Sequence, residues 1–357
     1  MSGVWGNKIK ISIFGESHGK AIGITIDGLE PGADIDLGYI NKEMERRAPG
    51  KNKLSTPRKE EDNFEILSGY FNGRTTGTPL CAIIHNTNQH SKDYEKTKNL
   101  MRPSHGDFTG YVKYNGFNDY RGGGHFSGRI TAPLVFAGAV CKQILEKRGI
   151  IIGSHVKSIE KLEDKGFNML EIDAEKLKAL RENTLPVLDE AVGSKMQEAI
   201  IKAREEQDSV GGVIETAVIN LPVGIGDPYF DSVESTLAQL LFSVPGVKGV
   251  EFGAGFDIAK MKGSEANDEY YTDGDKIKTY SNNNGGILGG ITSGMPLIFK
   301  VAMKPTPSIS RAQRTVDIEK KENTEIRIEG RHDPCIVPRA LPVVEAVTAI
   351  AILDLLK

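Results

Sequence analysis

The chain has 357 residues, 39% of them hydrophobic and 26% charged, with a formal net charge of −3. That length allows one large domain or two modest ones around a sizeable core, and the near-neutral balance gives no reason to expect nucleic-acid or membrane binding. Three widely spaced cysteines, Cys81, Cys141 and Cys335, form no CxxC pair, which excludes a disulfide framework or cysteine zinc site and fits a reducing cytosol. No stretch has the apolar length of a signal peptide or a spanning helix. The expectation is a soluble, cytoplasmic protein.

Polar–apolar alternation predicts strands over 8–14 and 21–27, joined by Gly15-Glu16-Ser17-His18-Gly19. That makes an antiparallel pair with a polar tip. Asp36 is placed to cap a helix carrying Leu37, Ile40 and Met44 on one face and ending near Arg46-Arg47, before Pro49-Gly50. Residues 48–62 are polar and basic, and strands near 64–68 and 79–85 flank Asn72-Gly73. Residues 86–124 show no period and hold His90, Arg102, His105 and Arg121. A loop of that length in a compact protein is usually functional.

Next comes Arg121-Gly122-Gly123-Gly124-His125-Phe126-Ser127-Gly128-Arg129. Consecutive glycines weaken regular structure, so they persist mainly where backbone must pass close to something. Arginine forks and bare N–H groups at a helix start both bind phosphate and carboxylate. With a helix expected over 131–148, the run reads as an anion-binding loop feeding a helix, or else a flexible surface loop.

The remaining pattern predicts a strand near 150–156 and two helices within 173–206 split at Leu185-Pro186. A strand over 212–219, a helix over about 231–242 and an acidic surface loop over 263–275 follow. A second glycine cluster spans Asn282 to Gly290, and a buried strand over 296–303 ends at Lys304-Pro305-Thr306-Pro307-Ser308. The last helix, 338–356, is almost wholly apolar and suits a core or an oligomer interface. Hairpins mixed with helices, without strict alternation, indicate an α+β fold.

His18 and His105 each lie between Ser and Gly in a loop, a context for acid/base work. Arg46, Arg47, Arg102, Arg121, Arg129 and Arg331 suit a ligand with several negative groups. Lys304, Thr306 and Ser308 form either a phosphate contact or a rigid loop, and Cys335 reads as a small buried thiol. GxxxxGK[ST], HExxH and zinc-like Cys/His spacing are absent, and no GxGxxG follows a strand. P-loop, metal and Rossmann readings are therefore unsupported. The residues alone indicate an enzyme acting on a polyanionic small molecule, with a non-catalytic sensor or a phosphotransferase as rivals.

Gly15-Glu-Ser-His-Gly19, Arg121-Gly-Gly-Gly with Ser127-Gly-Arg129, and Arg331-His-Asp-Pro-Cys335 resemble the three signature regions of the chorismate synthase family. Arg46-Arg47-Ala-Pro-Gly50, Arg102-Pro-Ser-His-Gly-Asp107, Val247-Lys-Gly-Val-Glu251, Gly285-Gly-Ile-Leu-Gly-Gly290 and Lys304-Pro-Thr-Pro-Ser308 extend the likeness, in family order, over nearly the whole chain. The resemblance implies one domain over residues 1–357, a β-α-β sandwich with central helices between antiparallel sheets, and active-site loops near 48–62 and 86–124. It implies conversion of 5-enolpyruvylshikimate 3-phosphate to chorismate by 1,4-anti elimination with reduced FMN. NADPH would enter only indirectly, through flavin reduction, with an external reductase as a possible partner and a homotetramer as the assembly. His18 and His105 would be the acids for flavin and for departing phosphate. Asp333, Ser17 and Ser127 would move or position protons. Arg47, Lys53, Arg102, Arg129 and Arg331 would hold the substrate's anions. His125, Phe126, Ser127, Gly289, Lys304, Pro305, Thr306, Pro307, Ser308 and Arg331 fall where the family holds FMN.

Overall fold

Two five-stranded antiparallel sheets enclose a layer of helices, in a computed structural model that describes residues 3–50, 54, 62–87, 98–328 and 332–356. The first sheet runs, in spatial order, Val4–Trp5, Lys10–Gly15, Ala21–Asp27, Leu80–His85 and Phe64–Ser68. The second runs Val247–Phe252, Leu297–Met303, Gly212–Ile219, Ile151–Ile159 and Leu162–Glu163. This is the α+β sandwich expected from the sequence. One hydrophobic cluster takes in Ile22, Ile24 and Ile26 from the first sheet, Ile214, Val218 and Phe299 from the second, and the helices between.

The helices Thr131–Lys147 and Val337–Leu356 form the centre, flanked by Leu37–Arg47 and Val233–Ser243. Both central helices are buried on nearly every face, as an all-round apolar sequence requires. They cross backbone to backbone at Gly138, where a Cβ would lie 2.2 Å from the Ala346 Cβ. Only glycine permits that approach. Asp36 caps the Leu37–Arg47 helix as predicted, its Oδ1 accepting from Gly38 N at 2.7 Å.

Four charges lie within this apolar centre. Lys142 Nζ contacts Glu43 Oε2 at 2.9 Å and Glu345 Oε2 at 2.7 Å, and Arg46 NH1 reaches the same two carboxylates at 2.9 and 2.7 Å. Two cations and two carboxylates balance, the condition under which buried charge is tolerated. Asp354 Oδ1 accepts from the backbone N–H groups of Lys8 at 2.7 Å and Ile9 at 2.6 Å, tying the end helix to the first sheet.

The second sheet is covered on its other face as well. Ile151, Ala217, Ile219 and Ile298 pack there with Leu177 of the Ala174–Ala179 helix. Burial on both faces explains why Gly212–Ile219 reads as an apolar run without clean alternation.

Two expectations change. The described part of the 86–124 loop is not structureless: it holds the Asp107–Lys113 helix and a kinked turn over Arg121–Phe126 whose three glycines take positive φ. The acidic 263–275 segment carries a short helix, Gly263–Ala266, and a hairpin of Tyr270–Asp273 with Lys276–Thr279. Of the two readings of the apolar end helix, core or interface, the core one holds, since it is buried within the chain itself. Among the described residues, no helix is long and apolar enough to cross a membrane.

Candidate active site

The tip of the first hairpin meets the glycine run directly. Gly15, at φ +97°, turns the chain out of its strand, and Ser17 N donates to Gly124 O at 3.1 Å. Ser17 Oγ donates to Arg121 O at 3.2 Å, and His125 Nδ1 donates to Gly15 O at 2.8 Å. Ser17 and His18 are buried as a result. Gly122 and Gly123 have φ of +59° and +87°. A Cβ on Gly122 would stand 2.4 Å from His18 Cδ2 and 2.8 Å from Ser17 Oγ, and one on Gly123 would stand 2.9 Å from His105 Cε1. The glycines are therefore needed because bare backbone lies against both histidines. Ser127 then caps a 3-10 turn over Gly128–Ile130, its Oγ accepting from Arg129 N at 3.3 Å, and the Thr131–Lys147 helix begins.

His105 is built on the start of the Asp107–Lys113 helix. Asp107 receives Arg102 through Nε and NH2, both at 2.7 Å, and its Oδ1 lies 2.7 Å from His105 Nδ1. Burial would raise the Asp107 carboxyl, but Arg102 and His105 outweigh it and hold the group well below the usual carboxylate range. A carboxylate at Nδ1 orients the imidazole and leaves Nε2 for proton transfer. Lys304 joins this wall by donating Nζ to Ser104 O at 2.5 Å. Burial, then Lys248, lowers its pKa.

The arginines are paired rather than open. Arg47 meets Asp62 Oδ2 through Nε at 2.7 Å and NH2 at 2.5 Å, while Arg129 NH1 takes Asp62 Oδ1 and its Nε donates to Asn86 Oδ1 at 3.1 Å. Arg121 is bidentate on Asp119, at 2.8 Å through each of Nε and NH2. Arg339 bonds Asp333 through NH1 and donates Nε to Arg47 O at 2.9 Å.

Of the residues singled out, Ser17, His18, Arg102, His105, His125 and Lys304 are thus joined through the glycine run, and Asp333 through Arg339 to Arg47. Phe126 is half-exposed, its ring against Gly106 and Gly110. Thr306 Oγ1 and His332 Nε2 are buried with no hydrogen-bond partner among the described residues, and Ser308 is buried. Burial, reinforced by Arg102, lowers the His332 pKa. Gly289 and Gly290, both at positive φ, make the two-residue turn between Ile287–Leu288 and Ile291–Thr292, packed on Ser232 through Gly290. Among the described residues, the hydrogen bonds joining the hairpin tip to the glycine run do not extend to that turn. Lys53, His90 and Arg331 lie outside the described residues. Cys335 is 1% exposed and its thiol is pushed up to about 12 by burial, so it is inert.

Sequence reasoning missed Asp62, Arg339 and the orienting role of Asp107. Only Asp107 left a readable signal, an acid two residues beyond His105 inside one short motif. Two cavities, of about 330 and 270 Å³, lie apart from this cluster, beside Trp5 and Gln239 and beside Glu30 and Arg148.

The chorismate synthase family model matches residues 9–356. A chorismate synthase of Pyrococcus abyssi is 48% identical over 98% of this chain and 96% of its own length. One of Dehalococcoides mccartyi is 47% identical over 99% and 96%. A crystal structure of chorismate synthase superposes with a TM-score of 0.76 at 31% identity, covering 99% of this chain and 92% of that one. With sequence, fold and motif geometry in agreement, the chain belongs to the chorismate synthase family of lyases.

Proposed function

We propose that this chain eliminates phosphate from 5-enolpyruvylshikimate 3-phosphate in a 1,4-anti sense, using reduced FMN, to yield chorismate at the last common step of aromatic amino-acid biosynthesis. The observation that carries this reading is the single glycine wall against which both His18 and His105 lie, at Gly122 and Gly123. Two proton-transfer groups are thereby held against adjacent glycines, which a sensor of anions would not need.

The residues present suit a flavin. Among the described residues, Thr306 Oγ1 and His332 Nε2 are buried polar atoms without a hydrogen-bond partner, and Phe126 offers a half-exposed ring. His125, Phe126, Ser127, Lys304 to Ser308 and Arg331 would hold it, with Gly289 supplying a further contact. When bound, reduced FMN supplies transient electron density for expelling phosphate and losing a weakly acidic hydrogen, with no net redox change.

The chain's own groups divide the remaining work. His105, oriented by Asp107, delivers a proton to the departing phosphate, and His18 holds a proton beside the cofactor. Asp333, Ser17 and Ser127 position or move protons there. Arg47, Lys53, Arg102, Arg129 and Arg331 bind a substrate bearing one phosphate and two carboxylates. The working form is a cytoplasmic homotetramer of single-domain chains, with flavin reduced by NADPH through an external reductase.

Anaerobic turnover of 5-enolpyruvylshikimate 3-phosphate with chemically reduced FMN, followed by chorismate absorbance, tests this. Product that requires reduced flavin is expected. Tight binding of FMN and substrate without product would move the reading to a sensor.

A further inference from the structure

We infer that Arg46 is the positioning residue for Arg47. By turning into the buried charge cluster it fixes the last turn of the Leu37–Arg47 helix, and with it the direction in which Arg47 meets the substrate's anion. This rests on the substrate reading above. Sequence alone groups the two arginines as anion ligands, and the structure separates them. Side chains at successive helical positions point about 100° apart. Arg47 runs to Asp62, with Nε 2.7 Å from Oδ2, and to Thr131 Oγ1 at 3.4 Å. Arg46 instead enters the centre of the fold. Its NH1 and NH2 lie 2.7 and 3.1 Å from the two oxygens of Glu345, and NH1 is also 2.9 Å from Glu43 Oε2. Both side chains branch from one helical turn, so rotating that turn to release Arg46 swings Arg47 out of place.

Three helices meet in the cluster. Glu43 and Arg46 belong to Leu37–Arg47, Lys142 to Thr131–Lys147 and Glu345 to Val337–Leu356. The ends of the same helices carry site residues: Arg47 closes the first, Thr131 opens the second just after Arg129, and Arg339 lies in the first turn of the third. The end helix grips the Arg46–Arg47 turn twice, through Glu345 at the Arg46 guanidinium and through Arg339 Nε at the Arg47 carbonyl, 2.9 Å away. Side-chain exposures of 15% for Arg46, 5% for Glu43, 1% for Lys142 and 0% for Glu345 leave the cluster nearly dry. Burial alone would raise the Glu345 carboxyl, but Arg46 and then Lys142 hold it low, so it stays ionised at neutral pH. Apolar side chains of similar volume commonly stabilise such a place as well or better. What a two-pronged guanidinium–carboxylate contact adds is direction, which apolar packing specifies less sharply. Stability therefore does not account for the buried charges, and alignment of Arg47 does.

The test compares kcat, KM and Tm of wild type, Arg46→Lys, and the paired change Lys142→Met with Glu345→Leu, all with reduced FMN. The paired change removes one charge of each sign, leaves Arg46 with Glu43 and cuts it from the end helix. Both variants should raise KM on the order of tenfold, the kind of loss a misplaced binding group produces, with a smaller change in kcat and no fall in Tm. A purely structural role would not give that split, because it would lower Tm along with activity. An unchanged KM in either folded variant overturns the proposal, and so does a KM that rises only with a matching fall in Tm. If the paired change does not fold, Arg46→Lys decides by the same comparison. Wild-type turnover in the same assay keeps the two ideas apart. Its absence sinks the reaction and this role with it, whereas turnover with an unaltered KM in the variants sinks only the role of Arg46.

Discussion

Arg339 bonds the Asp333 carboxylate through NH1 and the backbone carbonyl of Arg47 through Nε, the latter at 2.9 Å. The first turn of the end helix thereby clamps Asp333 to the end of the Leu37–Arg47 helix. Arg339→Met removes both bonds and leaves the poorly exposed Asp333 without this cation. Breaking such a pair costs about 3–5 kcal/mol when buried. A lowered Tm and a lowered kcat are expected. Arg339→Lys should recover stability better than turnover, because lysine keeps the charge but lacks the planar fork. Wild-type kcat in Arg339→Met would remove the clamp from the mechanism.

His105 and Asp107 form one acid/base unit, at 2.7 Å between Nδ1 and Oδ1. General acids contribute about 10²–10⁴-fold. His105→Ala should lower kcat by that order and leave substrate affinity nearly unchanged. Asp107→Asn should cost less in kcat, since the imidazole remains but loses its orienting charge. Equal kcat for His105→Ala and wild type would eliminate His105 as the acid.

The glycine wall predicts a defect caused by one methyl group. At Gly122 an added Cβ would fall 2.4 Å from the His18 ring, and φ there is +59°. Gly122→Ala must displace His18 or the loop. Loss of turnover is expected with little change in Tm, because the loop lies outside the hydrophobic core. Full turnover in this variant would show that the position of His18 is not critical.

Much of this was legible where periodicity is strong. The Thr131–Lys147 and Val337–Leu356 helices, and the strands Ala21–Asp27 and Leu80–His85, announce themselves by apolar spacing. Asp107–Lys113 does not, because Asp-Phe-Thr-Gly-Tyr-Val-Lys is short, carries a glycine and exposes Phe108, Tyr111 and Val112. Tertiary contact of Phe126 with Gly106 and Gly110 fixes that segment, and no local pattern encodes it. Likewise Asp62 closes the acidic run Glu60-Glu61-Asp62, and nothing in the sequence marks it as the partner of two arginines far away along the chain. The buried Glu43, Lys142 and Glu345 lie on three helices far apart in sequence, so their pairing appears only once the helices are packed.

The helix crossing offers a test of the core itself. Gly138→Ala would drive a Cβ to 2.2 Å from the Ala346 Cβ and 2.3 Å from its Cα. Backbone cannot yield as a flexible side chain does, so the two central helices must separate. Overpacking of this kind costs roughly 1–3 kcal/mol or more. A Tm several degrees lower is expected in thermal unfolding, and an unchanged Tm would mean that the helices are not in this contact.

Stability should also carry a histidine signature. His155 is fully buried, with Nε2 2.8 Å from Glu215 Oε2 and Nδ1 3.5 Å from Asp164 Oδ2. Burial would lower its pKa, but hydrogen bonding to Asp164 and Glu215 and their charges outweigh that and raise it. A raised folded-state pKa means that folding favours the protonated ring. The contribution is therefore full below the unfolded value of about 6.5 and disappears as pH rises through the folded value. His155→Gln should lose most stability near pH 6, and the gap in Tm to wild type should narrow towards pH 9. Starting at pH 5.5 keeps Asp164, whose pKa is lowered, ionised throughout. A gap that stays constant across this range would show that the imidazole is neutral in the folded protein.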